Sequence, residues 1–232
     1  MTVDFYYMAP SAPCRAVRLA ARALGVELNL KPTNLLKGEQ LTPEFLKMNP
    51  THTIPTINDD GFCLWESRAI LTYLADKYGT EDTLSLYPKD DVQKRAVVDQ
   101  RLFFDQALYQ RFGEIYYPML NDGVRKDMEK QRKLEESLGV LDKFLGDSRY
   151  AAGDNLTLAD HALVSTVSTI DAAGALELGK YPNVKRWYED CKKNMDGYQG
   201  LNGQGATIFR VWASYKKFSW AIRRPFRSIC GH

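Results

Sequence analysis

Tyr6-Tyr7-Met8-Ala9-Pro10-Ser11-Ala12-Pro13-Cys14-Arg15 is the stretch on which the fold turns. Val3 to Tyr7 is short, apolar and aromatic, and reads as a buried strand. Met8 to Pro13 reads as a turn. From Arg15 to Leu24 the residues Val17, Leu19, Ala20, Ala21 and Leu24 recur at helical spacing, and Gly25 stops the helix. Ser11 therefore stands where a strand becomes a helix. A hydroxyl there either caps the helix or faces a ligand at its electropositive end, where the free N–H groups favour a thiolate. Pro13 suits the first helical turn in both cases.

Outward from this stretch, Glu27 to Lys31 alternates as a strand, which makes a β-α-β unit with a parallel pair. Thr42 to Met48 opens with a Thr-Pro-Glu helix signal. Asn49-Pro50-Thr51-His52-Thr53-Ile54-Pro55 follows, and Thr53 to Ile57 reads as a strand entered through a proline. Pro55 suits a cis bond that turns the preceding residue outwards, and an ordinary trans proline at a strand start is the alternative. Asp60-Gly61 is a hairpin turn, and Phe62 to Trp65 is the returning strand. Glu66 to Tyr78 puts Ile70, Leu71, Tyr73 and Leu74 on one helical face. In Leu64-Trp65-Glu66-Ser67-Arg68-Ala69-Ile70, Glu66 and Ser67 meet a helix start. There they serve either as caps or as a clamp for a carboxylate and an ammonium group.

The expected order is thus β-α-β-α-β-β-α over residues 1–80. A polar linker at 81–91 holds Pro88. An all-helical domain follows at 92–204, with helices at Val92 to Leu120, Arg125 to Leu145, Leu158 to Ala173 and Val184 to Asn194. Thr157-Leu158-Ala159-Asp160 is a capping-box-like start with Asp where Glu or Gln is usual. Gly197 to Gly205 holds four glycines and is expected to be loose. Ile208 to Ile222 has apolar residues enough for one more helix, within a basic and aromatic C-terminal extension at 205–232.

Composition narrows the function classes. The chain has 232 residues, 44% hydrophobic and 26% charged, as in an ordinary globular protein. Cys14, Cys63, Cys191 and Cys230 are far apart with no CxxC and no Cys/His cluster. That argues against a zinc site or a secreted disulfide scaffold, so reduced thiols in a cytosolic protein are expected. No secretory signal is visible, and no run of ~18 apolar residues would span a membrane. The net charge is +2, but from Ala206 onward there are six basic residues and no acid, which leaves −4 on residues 1–205. The body has no overall bias towards nucleic acid.

The element order and the three quoted motifs together resemble the insect delta and epsilon classes of glutathione transferase, most closely delta. The likeness covers residues 1 to about 200. It implies a thioredoxin-like domain plus a helical bundle, glutathione as co-substrate, no metal, a cytoplasmic homodimer and no nucleic-acid partner. It also implies site residues. Ser11 is the catalytic serine; His52, Thr53, Ile54 and Pro55 meet the glycyl and cysteinyl parts of glutathione; Glu66, Ser67 and Arg68 hold its γ-glutamyl end. Gln40, in Gly38-Glu39-Gln40, stands where the family often has a histidine reaching the glycyl carboxylate, so weaker glutathione binding is expected. Met8-Ala9-Pro10 replaces the more typical Leu-Pro-Gly before the serine. Asp105 lies near the family's supporting acid.

Tyr109, Phe112 and Tyr116 fall at i, i+3 and i+7 on one helical face, with Tyr117 beside them. Such stripes are most often core. The matching helix of the family lines the pocket for apolar electrophiles, so these four are the expected pocket residues. Other readings stay open. The chain could be a non-catalytic binder of glutathione or hydrophobic ligands, or could show peroxidase or dehydrochlorinase activity. Cys14, three residues after Ser11, could carry thiol-disulfide exchange. The basic tail could be a closing helix, a membrane-surface segment or a partner-binding segment.

Overall fold

The computed structural model describes residues 2–175 and 177–227, the last seven of these by backbone alone. The side chains of Arg223, Arg224, Phe226 and Arg227 enter only as sequence, and Cys230 lies outside the described residues. The N-terminal elements come in the expected order: β1 (Val3–Tyr7), α1 (Ala12–Ala23), β2 (Leu28–Pro32), α2 (Pro43–Met48), β3 (Thr56–Asp59), β4 (Phe62–Trp65) and α3 (Ser67–Tyr78). The sheet order is β2-β1-β3-β4. β1 and β2 run parallel, and the other pairs antiparallel. Val3 and Phe5 alternate into the core, and α1 buries its Val17, Leu19 and Ala20 face.

Asp59, at the end of β3, pins α3 to the sheet. Its carboxylate accepts from Tyr73 Oη and Lys77 Nζ, each at 2.7 Å, and from Tyr78 Oη at 2.7 and 2.8 Å. Burial pushes its pKa up, but these donors outweigh burial and hold it below the usual carboxylate value. Its stabilising share is therefore full above the unfolded value of about 3.9 and is lost as pH falls through the lower folded value. Asp59→Asn is expected to flatten that part of the acid limb when urea midpoints are compared from neutral pH downward.

The second domain holds α4 (Val92–Asp122), α5 (Met128–Gly146), α6 (Leu158–Ala172), α7 (Pro182–Asn194) and α8 (Gln204–Arg227). α6 is buried along nearly its whole length. Its capping box closes with aspartate: Asp160 Oδ2 accepts from Thr157 N at 2.9 Å and Thr157 Oγ1 at 3.0 Å. Asp160 Oδ1 accepts from Ala151 N at 2.8 Å and Trp187 Nε1 at 2.9 Å, which ties three segments to one buried acid.

Three expectations differ from the structure. Part of the 81–91 linker is a 3-10 helix, Glu81–Leu86, with Leu86 and Tyr87 buried; Tyr87 donates to Asp99 at 2.9 Å and lies under the Arg95 guanidinium. Gly197 to Gly205 is no loose loop but holds a π-helical turn at Gln199–Gly203 with Asn202 fully buried. The extension expected from residue 205 begins inside α8, whose Ala206, Phe209 and Ala213 are buried in the domain core.

Candidate active site

The strand register gathers the motifs. Tyr6 pairs with Thr56, Thr56 pairs with Trp65, and Tyr7 pairs with Pro32. The turn after β1, the segment before β3, the junction after β4 and the loop after β2 therefore share one end of the sheet. Ser11, Ile54, Pro55, Glu66, Ser67 and Gln40 all lie in those segments.

Ser11 is the N-cap of α1, half-buried and in extended backbone, with Cys14 N donating to its Oγ at 3.4 Å. That bond is long and uses only a lone pair, so the hydroxyl proton can be given to an anion. Cys14, one turn deeper, is fully buried, and burial pushes its thiol up to about 11. With no exposed surface, the Cys14 thiol gives an incoming disulfide no access, which argues against thiol-disulfide exchange there.

The segment after α2 is shaped by Asn49, fully buried and not singled out in the sequence. Its Nδ2 donates to Thr53 O at 3.0 Å, Thr53 Oγ1 at 3.2 Å and Thr56 Oγ1 at 2.9 Å. Its Oδ1 accepts from Thr51 N at 2.9 Å and Thr51 Oγ1 at 2.6 Å. All its hydrogen-bonding capacity goes into holding the loop that carries His52, Thr53 and Ile54. His52 and Thr53 are exposed, Ile54 is half-buried, and Ile54–Pro55 is cis as the sequence suggested. In the 3-10 turn Glu39–Leu41 after β2, Gln40 Oε1 is buried and has no donor among the described residues.

Glu66 is exposed with φ 67°, a left-handed conformation that costs a residue with a Cβ and recurs at ligand clamps. Ser67 is buried at the start of α3. Arg68 does not reach for solvent. Its guanidinium donates to Ser67 Oγ at 3.0 Å, and to Asp105 Oδ2 from Nε at 2.9 Å and again from a terminal nitrogen. Asp105, on α4, is fully buried, so this pair joins the two domains directly beneath Glu66 and Ser67. Arg68 thus orients Ser67, a role different from the direct γ-glutamyl contact expected for it. Asp105→Asn takes the counter-charge away from that guanidinium. It is expected to cost about 3 kcal/mol of stability in urea denaturation.

The aromatic stripe divides. Phe112 and Tyr116 are 0% and 3% exposed, stacked at 4.8 Å with Phe209 packed against Phe112, and form core rather than pocket wall. Apolar rings at i and i+4 face inward once α8 covers them. Tyr109 and Tyr117 are half-buried and share a hydroxyl–hydroxyl hydrogen bond of 2.7 Å. The Arg68 guanidinium lies 5.9 Å from the Tyr109 ring centre, so this tyrosine pair borders the α3 junction.

One cluster had no signal in the sequence. Arg15 is 0% exposed and donates to Ser168 Oγ at 2.9 Å, Asn202 O at 3.2 Å, Asn202 Oδ1 at 2.5 Å, Ser165 O at 3.2 Å and Thr169 Oγ1. Burial lowers its pKa to about 10, still charged at neutral pH. It fastens α1 to α6 and to the π-helical turn. Gly205 completes the contact: a Cβ there would lie 2.3 Å from Ala9 O and 2.4 Å from Arg15 Cδ. The backbone just before Ser11 therefore rests on the start of α8. A separate cavity of about 620 Å³, lined by Pro88, Lys94, Val98, Asp154 and Thr157 among others, involves none of these residues. Among the described residues, no cluster of three or more His, Cys, Asp or Glu side chains is placed to hold a metal ion.

Comparison with known proteins agrees with this geometry. The model of the glutathione S-transferase N-terminal domain matches residues 1–76, and that of the C-terminal domain matches residues 110–193. A delta-class glutathione transferase of Nilaparvata lugens is 51% identical with a TM-score of 0.88, over 92% of this chain and 99% of that one. A Bombyx mori glutathione transferase is 46% identical with a TM-score of 0.86, over 91% and 98%. A glutathione transferase homologue from Drosophila mojavensis, solved with bound glutathione, is 32% identical with a TM-score of 0.84, over 93% and 97%. Matched in both domains and over nearly its whole length by delta-class and related enzymes, the chain belongs to the glutathione transferase family.

Proposed function

We propose that this transferase conjugates glutathione to apolar electrophiles, with Ser11 stabilising the glutathione thiolate. The observation that carries the reading is the meeting of the Ser11 turn, the Ile54–Pro55 segment and the Glu66–Ser67 junction at one end of the sheet. Ile54, before its cis proline, suits backbone pairing with a peptide. The free N–H groups at the start of α3 suit a carboxylate, and exposed Glu66 suits an ammonium group. The start of α1 adds positive potential where a sulfur would sit beside Ser11. The thiol gives its proton to water, and the thiolate accepts the Ser11 O–H bond and attacks an electrophilic carbon beside Tyr109 and Tyr117; with an aryl halide the new C–S bond replaces the carbon–halogen bond and halide leaves as the anion. These half-buried rings give a flat apolar wall with two hydroxyls.

A detoxifying role in the cytoplasm goes with that chemistry. Cys14 and Cys191 are buried and unpaired, as a reducing compartment allows. A homodimer follows from the family likeness, and Phe62 and Phe103, 50% and 77% exposed, are large apolar groups that an interface would cover. The test is steady-state conjugation of glutathione with an activated aryl halide, alongside calorimetric titration of glutathione. Saturable turnover well above background is expected. Glutathione binding by folded protein without turnover would leave a binding protein and overturn the reading.

A further inference from the structure

We propose that the outer face of α8 docks on an anionic lipid bilayer. The inner face of the helix is committed. Ala206, Phe209 and Ala213 are buried, Lys217 Nζ donates to Ala173 O at 2.7 Å, and Trp220 Nε1 donates to Leu120 O at 3.1 Å. With the helix locked in rotation, its opposite face is fixed outward. That face presents Ile208, Val211, Tyr215 and Phe218 at i, i+3, i+7 and i+10, 49%, 65%, 66% and 65% exposed. Four large apolar side chains in one helical stripe are more than the scattered exposure usual on a surface.

Charge selects the occupant. Arg210, Lys216, Lys217, Arg223, Arg224 and Arg227 belong to this helix, and no acid occurs from Ala206 to the last residue. A second copy seated on the stripe would bring two acid-free basic helices together, an unfavourable pairing in a symmetric interface. A bilayer with acidic headgroups removes the conflict. Tyr215 and Phe218 suit the boundary between headgroup and acyl chain, while exposed Arg210, next to Val211, is close enough to meet the phosphates. The remaining residues sum to −4 and are repelled by such a surface, so attachment would be oriented, with α8 down. No described helix is long and apolar enough to cross a membrane, so contact is at the surface.

The test is sedimentation of the full chain with phosphatidylcholine vesicles, with and without phosphatidylserine. Co-sedimentation is expected only with phosphatidylserine present and is expected to weaken with salt. Arg210→Gln should lower partitioning about fivefold. Tyr215→Ser with Phe218→Ser should lower it about tenfold and leave aryl-halide conjugation in solution unchanged. Equal binding to both vesicles, or binding to neither, overturns the proposal. So does a change of oligomeric state in the double variant, measured by sedimentation velocity, because a second copy would then be the occupant. Binding of a DNA duplex by protein that leaves vesicles alone overturns it as well.

Discussion

Ser11→Ala is expected to lower kcat/KM for aryl-halide conjugation about tenfold at neutral pH and to move the pH midpoint of thiolate formation up by about two units. The two figures are linked. One charge-assisted hydrogen bond is worth roughly 2–3 kcal/mol, and two pKa units correspond to about 2.7 kcal/mol. Losing them cuts the thiolate fraction about a hundredfold below the midpoint. A more basic thiolate is also more nucleophilic, with a slope of about 0.4–0.5, which returns about tenfold of that loss. Above both midpoints the variant should match or exceed the native rate. Stopped absorbance of the bound thiolate against pH, with a pH–rate profile, measures both quantities. If Ser11 is only the N-cap seen in its 3.4 Å bond to Cys14 N, the midpoint stays and only thermal stability falls, by about 1 kcal/mol.

Arg15→Ala is expected to cost about 3–5 kcal/mol of stability, read as a lower urea midpoint. The variant strands acceptors on Ser165, Ser168, Thr169 and Asn202 and opens a cavity between α1 and α6. Arg15→Lys should fall between, because an ammonium cannot span the same fork of acceptors. Gly205→Ala tests the neighbouring contact with less loss of stability. Its Cβ would meet a backbone oxygen, Ala9 O, at 2.3 Å, so the turn before Ser11 must shift. A fall in kcat is expected, with a stability loss of about 1–3 kcal/mol from the overpacked contact. An unchanged kcat would mean that the turn is set by α1 alone.

Much of this architecture was legible from local pattern. The short strands before Pro10, after Pro55 and after Gly61, and the helix spacing after Ser11 and Glu66, follow from alternation, breakers and caps within a few residues. The cis bond at Ile54–Pro55 was suggested by proline before a β-branched strand. What escaped was decided by distant partners. Gly197 to Gly205 has the composition of a loose loop, yet Asn202 is held by Arg15, 187 residues away. Nothing near Arg15 in the sequence announces its acceptors on α6. Phe112 and Tyr116 share the spacing of Tyr109, and only the packing of Phe209 from α8 separates core from pocket edge. Arg68 reads as a ligand contact until Asp105 on α4 takes its guanidinium.

The contact between Gly205 and Ala9 O bears on how the protein is made. The first 80 residues carry every motif aligned with glutathione binding and leave the ribosome early. The backbone ahead of Ser11 nevertheless lacks one of its supports until α8, made well over a hundred residues later, has folded against it. A nascent chain stalled before that helix would hold a formed sheet and an unfinished thiol site.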